Sequence, residues 1–136
     1  MEALTYLGGQ PSGKRTGARE IAAATRIPMP FLWKILRQLS QEKLVQSFRG
    51  VRGGYELARP AGRIVVSEIL RASPDTDLAN SCMLGRAQCN DVTPCPLHSY
   101  WKGIRQEIRD VLERTTLADL ARKARKSSGK RSRASP

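Results

Sequence analysis

Outside the seventeen residues from Cys82 to His98 the chain has no cysteine and no histidine. With no second histidine and no recognisable nucleophile–base arrangement, the sequence offers no catalytic constellation, and an enzyme is not expected. No run of eighteen apolar residues occurs, so a membrane-spanning helix is not expected either. The opening MEALTYLGGQ lacks both a basic n-region and a long apolar h-region, which argues against a secretory signal. The expected compartment is therefore the cytoplasm, where thiols stay reduced and clustered cysteines more often bind metal than form disulfides. Aromatic bulk is scarce, with two Phe, two Trp and three Tyr in 136 residues, so the core must be modest and aliphatic. Oligomerisation would be a natural supplement to a core of that size.

Acidic residues are absent from the last sixteen positions, which carry seven Lys/Arg. Residues 1–80 hold twelve basic groups against seven acids, and residues 81–120 hold five of each. Two basic regions thus flank a neutral one, a distribution that attracts phosphate backbones and releases their counterions. For the tail RKARKSSGKRSRASP alone, a disordered, solvated extension is the expected state.

Along the chain, Ala3, Leu4 and Leu7 open an apolar segment, and GGQPSGKRTG follows as a turn-rich loop. AREIAAATRI reads as a short helix ended by Ile27 and Pro28. Pro30 suits the first turn of a second helix, through which Phe31, Leu32, Ile35, Leu36 and Leu39 recur at helical spacing to about Gln41. Two short helices joined by a tight break form a helix-turn-helix. LVQSFRGVRGGYELARP then alternates apolar and polar residues around a tip at Arg49–Gly54, where Gly50, Gly53 and Gly54 can take positive φ. A hairpin directly after a helix-turn-helix is the wing of a winged-helix domain. IVVSEILRAS offers a short strand and a helix with Val66, Ile69 and Leu70 inward. Trp101, Ile104, Ile108, Val111 and Leu112 make a helical apolar stripe that needs a partner surface, opposite a charged face that includes Lys102 and Arg105. Thr116 and Asp119 resemble a capping box before a last short helix over Leu117–Ala121.

In a helix-turn-helix the second helix enters the major groove by its N-terminal residues. Here these are Pro28, Met29, Pro30, Trp33, Lys34 and Arg37, with Lys34 and Arg37 turned away from a Phe31–Ile35–Leu39 core stripe. Arg49 and Arg52 at the wing tip are placed for a phosphate or a narrow minor groove. Singly, such side chains are ordinary solvated charges; together with the basic tip and the helix-turn-helix they favour duplex DNA.

The cysteine segment has the spacing C-x6-C-x5-C-x2-H. Zinc ribbons and fingers usually show two close pairs of ligands, and only Cys95 and His98 are close here. An iron–sulfur cluster is larger and suits a wrapping loop, with Cys82, Cys89, Cys95 and His98 as its four ligands. Structural zinc, a metal-free thiol switch and incidental cysteines are the competing readings.

REIAAATRIPMPFLWKILRQL, VRGGYELARP, the spaced cysteines ending in CPLH, and TTLADL together resemble the Rrf2 family of bacterial winged helix-turn-helix regulators, over nearly all of residues 1–121. The resemblance implies a cluster on Cys82, Cys89, Cys95 and His98, two-iron (2Fe–2S) ahead of four-iron. It also implies a homodimer packed through Trp101, Ile104, Ile108, Val111 and Leu112, and an imperfectly palindromic operator. Three departures stand out. The first inter-cysteine gap is one residue longer than in familiar members, Trp33 replaces an acid found in one branch, and helix 1 opens late.

The expected architecture is mainly α with a small β-hairpin. A winged helix-turn-helix DNA-binding domain covers 1–74, a cysteine-rich cluster-binding loop 75–98, a long dimerisation helix with a short terminal helix 99–121, and a disordered basic tail 122–136. The expected function is a DNA-binding transcriptional regulator, a repressor, whose operator binding follows a cluster sensing redox state, nitric oxide or iron. The alternative is a zinc-stabilised DNA binder without a sensing role.

Overall fold

A computed structural model describes residues 1–73, 81–86 and 89–133, with side chains described to residue 127. The elements run α1 (Glu2–Gly8), α2 (Ala18–Thr25), α3 (Met29–Gln41), β1 (Val45–Phe48), β2 (Gly54–Leu57), a 3-10 turn (Ala61–Arg63), α4 (Val66–Arg71), α5 (His98–Arg114) and α6 (Leu117–Arg133). They form two compact units, Met1–Ile64 with Thr116–Pro136, and Val65–Thr115. This differs from the division expected from sequence: α4 groups with α5, and the terminal helix groups with the winged helix. The expected boundary between residues 74 and 75, and the loop up to residue 80, lie outside the described residues.

The first unit is the winged helix. Ala3, Leu4 and Leu7 share one face of α1 and are buried, as is Ile21 of α2. α2 stops where Arg26 turns left-handed at φ 58°, and Pro28 then precedes α3, with Pro30 in its first turn. The buried stripe of α3 is Leu32, Leu36 and Leu39, not Phe31–Ile35–Leu39: Phe31 is 62% exposed and Ile35 half-buried. Both triplets satisfy a helical period, and packing of α3 on α2 and β1 selects the one that faces them.

β1 and β2 are antiparallel, with Val45 opposite Leu57 and Phe48 opposite Gly54. Thr16 adds a single bridge to Tyr55, through N–H···O bonds of 2.9 and 2.8 Å. That close approach explains Gly54, whose φ is 145° and where a Cβ would stand 2.9 Å from the Thr16 carbonyl oxygen. Gly53 does not take the positive φ expected of it; it is needed because a Cβ there would lie 2.4 Å from the Phe48 carbonyl oxygen.

α6 completes this unit. Leu117 is fully buried and Ala121 is buried, and α6 packs on α1 and the 3-10 turn. The Leu117 N–H donates to the Ile64 carbonyl at 2.8 Å. The helix continues to Arg133 in place of the disordered tail expected from residue 122. Ala, Arg and Lys are strong helix formers, and Arg125 extends the anchorage by donating to the Gly9 carbonyl. The expected capping box is present: Thr116 N–H donates to Asp119 Oδ2 at 3.0 Å, and Asp119 N–H donates back to Thr116 Oγ1 at 3.2 Å.

In the second unit α4 packs on α5, with Val66, Ile69 and Ala72 buried. Leu70, expected inward, is only half-buried. Ile64 and Val65 are extended but enter α4 at once, so the short strand expected there does not develop. The Val66 N–H donates to the Thr115 carbonyl at 2.9 Å, closing the unit on itself. α5 starts one residue earlier than expected, which puts His98 in its first turn. Arg105, expected on the charged face, is buried, as its long apolar stem allows.

Candidate nucleic-acid interface and metal-ligand loop

The winged-helix unit presents the residues singled out from sequence on its surface. Pro28, Pro30, Trp33, Lys34 and Arg37 are exposed and Met29 is half-buried, all at the N-terminal half of α3 or just before it. Trp33 is 56% exposed because the stripe that packs is one position away. Arg49 and Arg52 are exposed on the turn between β1 and β2.

A further cation joins them. The Arg15 guanidinium lies 3.7 Å over the Phe48 ring and donates through Nη1 to the Arg52 carbonyl at 3.3 Å. An exposed cation–π contact of this kind is worth about 0.5–1 kcal/mol, enough to bias a surface turn. Nothing in the spacing marks Arg15 as a wing residue, since the bridge through Thr16 that brings it there is not encoded in any period. Behind it, the Tyr6 hydroxyl and Lys14 donate to Glu20 Oε1 at 2.9 and 3.2 Å. The Tyr6 bond first, and then Lys14, hold the Glu20 carboxyl below its ordinary value.

The second unit holds the metal-ligand candidates. Cys82 and Cys95 are buried with their sulfurs 3.9 Å apart. Cys89 is half-buried, with Sγ 3.4 Å from Nδ1 of His98, itself only 6% exposed. Backbone hydrogen bonds from Arg86 and Leu84 lower the Cys82 thiol from its usual value; burial opposes them, and the Cys95 contact adds to the lowering. A depressed thiol supplies the thiolate that metals bind. All three cysteines are free.

Local structure explains the convergence. The Cys95 carbonyl accepts the His98 N–H at 2.9 Å, so the turn that starts α5 brings the two together. The Trp101 indole N–H donates to the Ser81 carbonyl at 3.0 Å, tethering the chain beside Cys82 to α5. Trp101 therefore serves the loop, while its ring stays half-exposed. Two residues not singled out as site residues belong here: Asp91 Oδ1 meets His98 Nε2 at 2.9 Å, and Lys102 Nζ reaches both Asp91 oxygens at 3.0 and 3.1 Å.

Among the described residues, no group of three or more Cys, His, Asp or Glu side chains is gathered as a single metal ion requires. The donors come instead as two pairs, thiol with thiol and thiol with imidazole. A two-iron cluster takes two protein ligands on each iron, sulfur or imidazole, and the donor set fits that group in both kind and grouping.

On the exposed side of α5, Ile104 is 50% and Val111 47% exposed, while Ile108 and Leu112 are half-buried. Among the described residues no helix is long and apolar enough to cross a membrane.

Comparison with known proteins places this arrangement. The family model described as Rrf2, iron-dependent transcriptional regulator, matches residues 1–123. A Mycobacterium tuberculosis (strain H37Rv) protein bearing the name of an HTH-type transcriptional regulator is 39% identical over 122 residues, covering 89% of this chain and 75% of that one. Among solved structures, T. potens IscR superposes with a TM-score of 0.70 at 26% identity, covering 90% of this chain and 80% of that one. B. subtilis CymR (YrzC), a global cysteine regulator, shares the fold at TM-score 0.70 and 24% identity, covering 87% and 86% of the two chains. With its winged helix-turn-helix and a match running from the first residue through the start of α6, the chain belongs to the Rrf2 family of DNA-binding transcriptional regulators and is not an enzyme.

Proposed function

We propose that this regulator is a homodimeric repressor whose 82–98 loop carries a two-iron cluster, with Cys82 and Cys95 on one iron and Cys89 and His98 on the other. The observation that carries this reading is the grouping of the four donors into two close pairs, 3.9 and 3.4 Å. The family's description as iron-dependent is consistent with it. When bound, such a cluster supplies a centre that oxidants, nitric oxide or iron loss can alter.

The chain's own residues do the rest. The four ligands pin the loop to the first turn of α5, which otherwise holds it through the Trp101–Ser81 and His98–Cys95 bonds. The exposed Ile104 and Val111, with Ile108 and Leu112 beside them, supply the apolar face against which a second copy of α5 packs. A two-fold dimer reads two half-sites, hence an imperfectly palindromic operator. In each half-site Pro28, Met29, Pro30, Trp33, Lys34 and Arg37 face the major groove, while Arg49 and Arg52 meet the backbone or a narrow minor groove. A change at the cluster site shifts the population competent for the operator.

The test is anaerobic purification followed by an absorption spectrum and iron, sulfide and zinc analysis, alongside the same measurements on Cys89→Ala. Visible charge-transfer bands with matched iron and sulfide are expected. In Cys89→Ala, operator affinity and its response to oxidant or nitric oxide should change; if both persist unaltered, the sensing role is refuted. Stoichiometric zinc in a colourless protein would replace the cluster with a structural metal.

A further inference from the structure

The imidazole of His98 is engaged on both nitrogens by different chemistry. Nδ1 lies 3.4 Å from Cys89 Sγ, and Nε2 lies 2.9 Å from Asp91 Oδ1. A carboxylate only accepts hydrogen bonds, so the hydrogen of a neutral imidazole sits on Nε2 and the Nδ1 lone pair is left free on the cysteine side. Asp91 is held in turn: Lys102, one turn further along α5, donates to both carboxylate oxygens at 3.0 and 3.1 Å.

The turn that presents Asp91 is built independently of these contacts. Asn90 Oδ1 accepts from the backbone N–H of Val92 at 3.1 Å and of Thr93 at 2.8 Å, and from the Thr93 hydroxyl at 3.1 Å. Exposure also separates the partners. The Asp91 side chain is 71% exposed and Lys102 58%, whereas the His98 side chain is 8% exposed. An ion pair that open contributes little stability, so stabilising the fold is a poor explanation for the arrangement. Orienting the one buried ring is a better one.

We infer that Asp91 is a positioning residue for the metal site: it fixes the tautomer and orientation of His98 so that Nδ1 is the nitrogen offered to iron, with Lys102 holding the carboxylate in place. This rests on the proposed reading of His98 as a ligand. Asp91 is not itself a candidate ligand in this geometry, because it occupies the far nitrogen of the ring from Cys89. Partners in this position also raise the donor strength of the ligated imidazole, and losing them commonly costs about 10- to 100-fold in metal affinity.

The experiment uses the full chain, loaded with cluster anaerobically, as wild type, Asp91→Asn and Asp91→Ala. Glu107→Gln serves as the control, removing an equal charge from α5 more than two turns beyond His98. Three readings are taken: the histidine-nitrogen coupling of the reduced cluster by pulsed electron paramagnetic resonance, its midpoint potential, and its rate of loss to a chelator. Asp91→Asn keeps an oxygen that can accept the Nε2 hydrogen, so the nitrogen coupling should stay while the potential rises as the ring donates less. Asp91→Ala should alter the nitrogen coupling and speed cluster loss by about 10- to 100-fold. Glu107→Gln should leave all three unchanged. Wild-type coupling and potential in both Asp91 variants would overturn the inference while leaving His98 a ligand. A wild-type cluster without nitrogen coupling, or no iron and sulfide at all, would overturn the reading of His98 and the inference with it.

Discussion

Replacing Leu117 with Ala tests whether α6 is an integral part of the DNA-reading unit. Leu117 is fully buried and is the first residue of α6. Leu→Ala removes three carbons, which at about 0.8 kcal/mol each is about 2.4 kcal/mol of transfer free energy. The cavity left behind brings the expected loss to about 2.7–5 kcal/mol. For a chain of this size that is a fall in melting temperature of about 10–20 °C, read by far-ultraviolet circular dichroism in thermal and urea melts. A neighbouring glycine turns the experiment into a cycle. A Cβ at Gly8 would meet Leu117 Cγ at 3.2 Å and Ala121 Cβ at 3.7 Å. In the wild-type background Gly8→Ala gains up to about 1 kcal/mol of helix propensity and opposes it with crowding. In the Leu117→Ala background the crowding disappears, so Gly8→Ala should become stabilising there. A Leu117→Ala loss below about 1 kcal/mol, or strictly additive effects of the two changes, would refute the packing of α1 on α6.

Three further outcomes are expected. Thr116→Ala should cost about 1 kcal/mol through loss of the cap on α6. Asp119, whose carboxyl the Thr116 backbone and hydroxyl bonds hold below its ordinary value, should make that cap pH-dependent. Because the folded value is the lower one, its contribution is complete above the unfolded value of about 3.9 and is lost as pH falls towards the folded value. Asp119→Asn should therefore be destabilising at neutral pH, with the difference from wild type closing below about pH 4 in parallel melts; a gap that persists in acid would contradict the assignment. Deleting residues 127–136 removes three of the basic side chains while keeping Leu117, Ala121 and Arg125. Binding to every duplex should weaken alike, and the log–log salt slope should flatten by at most about 3; loss of operator preference would show that these residues read sequence.

The helix-turn-helix, the wing and the long α5 were legible because each rests on a local period or on turn chemistry. The α3 stripe is not decided by period, because Phe31–Ile35–Leu39 and Leu32–Leu36–Leu39 are equally helical and only the surface opposite them selects the second. Over residues 122–133 charge density argues for a solvated tail, but helix propensity and the anchor at Leu117 and Arg125 prevail. In the cysteine segment, spacing singles out four candidate donors but not their grouping in twos, since pairing depends on how the loop folds back on α5. Asp91 carried no signal at all: an acid seven residues before a histidine has no periodic reason to meet its ring.

The bond between the Leu117 N–H and the Ile64 carbonyl has a consequence for how such a chain diversifies. It makes neighbours of two backbone positions with more than fifty residues between them, so the DNA-reading unit is closed without reference to what the intervening chain contains. Insertions are best tolerated where their ends already lie side by side, because the host pays little extra loop-closure entropy for a longer one. The segment 65–115 can therefore change in length at little cost to that closure. A one-residue change in cysteine spacing, or a differently built segment, can be accommodated there while the helices of the DNA-binding unit keep their own core.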